Sequence, residues 1–115
     1  DPSIFSKRGT EGFINGIYND FRKISADQRH ALLEVLTHNS EKYDDENLRF
    51  AVADLIARKY PAEVALNALR RMWSTGGENS RFIARFGADV LALSLPEDDK
   101  QKRRQLRKFE LEMDA

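Results

Sequence analysis

Cysteine is absent from this 115-residue chain. A disulfide framework, a thiolate nucleophile and a cysteine-based zinc knuckle are therefore excluded. A domain of this size folds without such staples, so the absence is compatible with a reducing compartment, and a cytoplasmic setting is the expectation. Proline occurs three times and glycine six times, too few for a collagen-like or polyproline-rich protein. No apolar run approaches the roughly 20 residues that cross a bilayer, and no secretory leader pattern is present, so no membrane partner is expected. The chain begins at Asp1 rather than Met, as a processed product or a piece of a longer protein does. Neither sign of charge dominates: 19 basic residues face 19 acidic ones. That balance excludes a chain coated in positive charge for nucleic acid, but leaves room for a local patch. Sustained period-two alternation between turn residues is also missing, so strands are not expected.

What is present is helical periodicity. Hydrophobic residues make up 41% and charged residues 33%, enough for one core with a solvated exterior, and residues 1–115 are read as a single domain. Six helical segments follow. The first, about residues 10–21, spaces Phe13, Ile14, Ile17, Tyr18 and Phe21 by threes and fours. Gly12 and Gly16 interrupt it, as glycines that let a neighbour come close would. The second opens at Ser25, a good N-cap with Gln28 at the capping-box position, and runs to Asn39-Ser40. The third is capped by Asp44-Asp45-Glu46 and ends at Arg58-Lys59, which matches both ends of the helix dipole. Pro61 opens the fourth at its first helical position. Ser74-Thr75-Gly76-Gly77 is the clearest loop. The fifth, about residues 78–94, is apolar around much of its circumference, with Ala84, Ala88 and Ala92 as a ridge of small residues beside Gly87. Pro96 opens the sixth. Expected core members are Phe13, Ile17, Leu32, Val35, Leu36, Val52, Leu55, Ile56, Leu66, Leu69, Phe82, Phe86, Val90 and Leu91.

An internal echo organises the later segments. Ala53-Asp54-Leu55-Ile56-Ala57 and its following Pro61 reappear as Ala88-Asp89-Val90-Leu91-Ala92 and Pro96, each 35 residues further on. Self-similarity at such a period marks stacked helical units. These two blocks and their prolines resemble a short array of HEAT-like helical hairpins over the third to sixth segments. HEAT repeats run somewhat longer, about 40–47 residues. The interval is nearer that of tetratricopeptide repeats, whose Trp-Leu-Gly-Tyr pattern is missing here. The expected fold is thus all-α: about six helices in antiparallel hairpins, as a short HEAT-like array or a compact helical bundle. The resemblance implies a scaffold or protein-binding role.

Groups that would carry chemistry are sparse. His30, Glu34 and His38 stand four apart on one helix face, but the outer two are two turns apart and cannot share an ion with Glu34. A solvated polar face is the expectation, with no metal. Asp44-Asp45-Glu46 lacks the alternating oxygen ligands and turn glycine of a calcium loop. Ser74-Thr75-Gly76-Gly77 lacks the Gly-Lys-Ser/Thr ending and preceding strand of a phosphate loop, and Glu78 would repel an anion there. No serine sits in a nucleophile elbow. The chain is expected to be no enzyme and to need no cofactor.

The basic residues carry the functional expectation. Residues 58–115 hold 12 basic and 9 acidic side chains, against 7 and 10 in residues 1–57. Arg70, Arg71, Arg81 and Arg85 form one group; Lys100, Arg103, Arg104, Arg107 and Lys108 form another on the last helix. Residues 97–105 contain no apolar side chain, so that stretch is expected to project into water, with Leu106, Phe109 and Met113 anchoring the end. Trp73 is expected in the core. The two basic groups are read as the contact surface of a protein-interaction or adaptor domain, steering a protein partner. The alternative is a nucleic-acid-binding module that places the same arginines on phosphates.

Overall fold

A computed structural model describes residues 7–115 of the chain. The start at Asp1 lies outside them. The fold is an all-α bundle of six helices: α1 (Lys7–Asn19), α2 (Ala26–His38), α3 (Glu46–Lys59), α4 (Ala62–Thr75), α5 (Glu78–Ser94) and α6 (Lys100–Asp114). Two 3₁₀ turns, Phe21–Lys23 and Ser40–Lys42, carry the chain from α1 to α2 and from α2 to α3. No strand occurs among the described residues, and none of the helices is long and apolar enough to cross a membrane.

Local chemistry sets the helix starts. Ser25 and Gln28 close a reciprocal capping box at 2.9 and 3.1 Å, which satisfies two of the donors a helix start leaves open. Asp45 caps α3 through the Leu48 N–H. Two starts differ from the sequence expectation. Pro61 is the N-cap of α4 in extended conformation, not its first helical residue. Pro96 does not open α6. The chain turns through Pro96–Asp99, and Asp99 caps the helix by accepting from the Lys102 N–H. A side-chain acceptor outcompetes the fixed φ of proline as the start signal here.

Alternate helices pack side by side. α3 touches α1 and α5, while α4 touches α2 and α6, and the α3–α4, α4–α5 and α5–α6 contacts join the two layers. Val52, Leu55, Ile56, Leu69, Met72 and Ile83 are sealed between them. The two echoing blocks are alike in burial at several positions and differ at others: Ala57 is buried where Ala92 is half-buried, and Asp54 pairs with Arg58 at 2.8 Å where Asp89 is exposed. Ala53 and Ala88, Leu55 and Val90, Ile56 and Leu91, and Tyr60 and Leu95 are all buried, and both prolines are exposed. Gly87 explains the close approach of α4 and α5: a Cβ there would lie 2.7 Å from Leu69 Cδ2.

Gly12 and Gly16 have no such role, since a Cβ at either meets nothing within 4 Å. The core is also narrower at this end than the periodicity suggests. Phe13 is 44% exposed and Val35 42% exposed. Together with Ile17 and Leu32, both half-buried, they line an open groove of about 410 Å³ between α1 and α2. An apolar stripe tells which face a helix buries, not how completely its neighbour covers it. Phe82 and Phe86 are likewise half-buried. They stack with Phe50 at 5.3 and 4.5 Å on the outside of α3 and α5.

Candidate interaction surface

The α4–α5 loop shows how firmly the basic half is built. Glu41, on the second 3₁₀ turn, reaches across to the start of α5. Its carboxylate accepts from the N–H groups of Gly77 (2.9 Å), Ser80 (3.0 Å) and Asn79 (3.2 Å). The Asn79 amide donates back to the Glu41 carbonyl at 3.0 Å. Beneath them the Ser40 and Ser80 hydroxyls share a buried hydrogen bond of 2.6 Å. The positive end of α5 is therefore filled by a carboxylate of the chain itself.

Desolvation pushes the Glu41 carboxyl up, but the N–H groups of Ser80, Asn79 and Gly77 and the Ser80 hydroxyl together hold it below its ordinary 4.5. A depressed native value means a contribution fully present above about pH 4.5 and lost as pH falls through the native value. Glu41→Gln is expected to cost about 1 kcal/mol at neutral pH, the worth of a helix cap. The gap between the two proteins should close on acidification, as read by urea unfolding from pH 7 to pH 3. A gap that stays constant with pH would contradict an ionised cap.

The nine basic residues singled out in the sequence separate into two sets. Five are occupied internally. Arg71 forms a double hydrogen bond with Glu34 at 2.9 and 3.3 Å. Hydrogen bonding and charge from Arg71 hold the Glu34 carboxyl below its usual range. Arg70 lies 3.7 Å from Glu112, with its guanidinium 5.7 Å from the Phe109 ring centre. Arg85 bonds Asp114 and the Met113 carbonyl at 2.9 and 3.0 Å. Arg81 donates to the Trp73 carbonyl. Arg81 and Arg85 both sit on the Trp73 ring, 4.7 and 5.1 Å from its centre. Trp73 is thus half-buried at the edge of the core: it packs against the buried cluster, and the two guanidinium groups lie over its ring. Arg103 folds back on the Leu95 and Pro96 carbonyls at 2.6 and 3.0 Å.

Those contacts correct the expectation that the start of α6 stands free. Lys102 pairs with Glu63 at 3.3 Å, Lys102, Arg103 and Gln105 are half-buried, and the helix is clamped along α4 and α5. Long basic stems cover apolar surface while their heads reach acceptors, so a stretch without apolar residues still packs.

The other four, Lys100, Arg104, Arg107 and Lys108, are exposed and make no side-chain hydrogen bond or ion pair with a described residue. Their spacing puts them on one side of α6, opposite Leu106, Phe109 and Met113. Leu111, missed in the sequence, shares that outer side and is 55% exposed. Its signal was available: it falls out of step with the buried trio. Because Glu112 and Asp114 are held by Arg70 and Arg85, the outer side keeps its positive charge.

The histidine face holds no ligand set. Glu34 is taken by Arg71, and no group of three His, Asp or Glu side chains suited to a metal occurs among the described residues. Compared with protein-family models, curated proteins and solved structures, the chain matches none.

Proposed function

We propose that the chain is a non-catalytic interaction domain that binds an acidic segment of a partner protein along the outer side of α6. The observation that carries this reading is the stripe of Lys100, Arg104, Arg107 and Lys108, cations without a partner among the described residues, around the exposed Leu111. Charges at the rim steer and orient a partner, and an apolar residue among them supplies the desolvated contact. The two stacked layers give α6 a rigid backing, as in a scaffold built from helical hairpins. Four free cations and a neutral whole make a small electrostatic footprint for a phosphate backbone, which favours a protein partner over nucleic acid.

The test uses a fluorescent acidic peptide with leucines at helical spacing, and a single-stranded oligonucleotide as the comparison. Arg104→Glu, Arg107→Glu and Lys108→Glu combined should weaken the peptide about 30-fold or more, since each exposed pair is worth up to about 1 kcal/mol. Leu111→Ala should weaken it several-fold, and circular dichroism should stay unchanged in both. Unaltered affinity in the triple variant would overturn the reading. So would preferential oligonucleotide binding whose log affinity falls linearly with log salt at a slope near −3.

A further inference from the structure

Away from α6, the junction of α2 with the α3–α4 turn forms a half-open cavity of about 250 Å³. Its walls include Phe21, Leu33, Tyr60 and Val64. Three basic side chains also line it, Arg29, His30 and Lys59, and no carboxylate does. Two of its cations, Arg29 and Lys59, rest on aromatic rings. The Arg29 guanidinium lies 4.6 Å from the centre of the Phe21 ring, and its Nη2 donates to the Phe21 carbonyl at 3.0 Å. The Tyr60 hydroxyl donates to the Arg29 carbonyl at 2.6 Å, and the Phe21 and Tyr60 rings meet edge to face at 5.1 Å. Lys59 Nζ sits 4.4 Å from the centre of the Tyr18 ring. Aromatic faces and a carbonyl position these two charges; no acid neutralises either among the described residues.

Arg29 is also incompletely satisfied. Its Nε is buried without an acceptor, and its Nη1 makes no hydrogen bond to a described residue. Arg29 is half-buried, and an opposite charge brought to it there interacts more strongly than it would in bulk water. A planar guanidinium already fixed in place binds an oxyanion without losing further freedom. The cavity is near the small end of ligand sites, which start at about 300 Å³, and its apolar walls favour a compact hydrocarbon body.

We propose that this cavity is a binding site for a small organic carboxylate. The carboxylate meets Arg29 Nη1 and the Lys59 ammonium, with His30 as a further donor at the rim. An aromatic or branched aliphatic body lies against Leu33, Tyr60 and Val64. The site stands apart from the α6 surface and does not depend on it.

Phenylacetate is the probe, followed by backbone amide chemical shifts. Saturable shifts confined to the start of α2 and the α3–α4 turn are expected, with a Kd on the order of 1 mM for so small a ligand. Phenylacetamide, which lacks the charge, and inorganic phosphate, which lacks the apolar body, should each bind at least about tenfold more weakly. Lys59→Gln should weaken phenylacetate about fivefold with the amide spectrum otherwise intact. The α6 triple charge reversal should leave it unchanged. Equal binding of phenylacetate and phenylacetamide would overturn the proposal. So would shifts that map to α6, no saturation, or a Lys59→Gln variant that binds as well as the parent.

Discussion

Phe109→Ala is expected to lower the unfolding free energy by about 3–5 kcal/mol, the range for emptying a buried aromatic site. Phe109 is 1% exposed and stands between Leu106 and Met113, which are also buried. These three are the apolar anchor of α6. Beyond these and the half-buried stems of Lys102, Arg103 and Gln105, the helix is joined to α4 and α5 by ion pairs and hydrogen bonds at the surface. Arg70–Glu112 at 3.7 Å, Lys102–Glu63 at 3.3 Å and Arg85–Asp114 at 2.9 Å are all partly solvated. Pairs of that kind contribute at most about 1 kcal/mol each. A 15-residue helix so rich in charge has little stability of its own in water. Loss of the Phe109 ring should therefore release α6 before the rest of the bundle opens. Native-state hydrogen exchange would show this as lost protection confined to α6, alongside a lower urea midpoint. Leu111→Ala provides the contrast: it should cost under about 0.5 kcal/mol yet weaken the acidic peptide. A Phe109→Ala protein that loses less than about 1 kcal/mol and keeps α6 protected would show that the ionic contacts hold the helix. A domain of this size has about 5–15 kcal/mol in total, so the expected loss is a large share.

The same helix shows what the sequence discloses and what it withholds. Its apolar trio at spacings of three and four was legible, because burial of one helix face leaves a periodic trace. Its start was misplaced, because Pro96 and Asp99 both signal a helix start and only the backbone path decides between them. The partners of its neighbours were not legible. Arg70 with Glu112, Arg71 with Glu34 and Arg85 with Asp114 each join residues far apart in the chain. Pairing at that range depends on how layers stack, which no local pattern encodes. The basic stripe followed by subtraction, once the occupied arginines were known. The shared setting of Arg29 and Lys59 was not legible: Lys59 reads as a last-turn cation beside Arg58, and the aromatic supports, Phe21 and Tyr18, gain meaning only when the turns fold together. The capping box at Ser25 and the acidic cap of α3 lie at the opposite extreme. Their donors and acceptors fall within three residues, so spacing alone located them.

Gly76→Ala is expected to destabilise by about 3 kcal/mol, the upper part of the usual range for forcing atoms into a packed site. The backbone at Gly76 is extended, with φ −95° and ψ 168°, so conformation does not require glycine. Space does. A Cβ there would stand 2.0 Å from Ser80 Cβ and 2.7 Å from the Met72 carbonyl oxygen. Neither obstacle is free to yield. The Met72 carbonyl accepts the Gly76 N–H at 3.0 Å and closes α4, and Ser80 is buried with its hydroxyl bonded to Ser40. Relief means moving the first turn of α5 away from α4, which breaks the Ser40–Ser80 bond and pulls Ser80 and Asn79 from the Glu41 carboxylate. Hydrogen bonds lost at a buried site cost about 1 kcal/mol each, so the overlap and its consequences add. Ser74→Ala, in the last turn of α4 just before this connection but exposed, should change stability by under about 0.5 kcal/mol. Urea unfolding of the two variants measures the difference. Near-equal midpoints would mean that α5 shifts at little expense, and the Glu41 cap would then have to be a loose contact rather than a lock between the second 3₁₀ turn and α5.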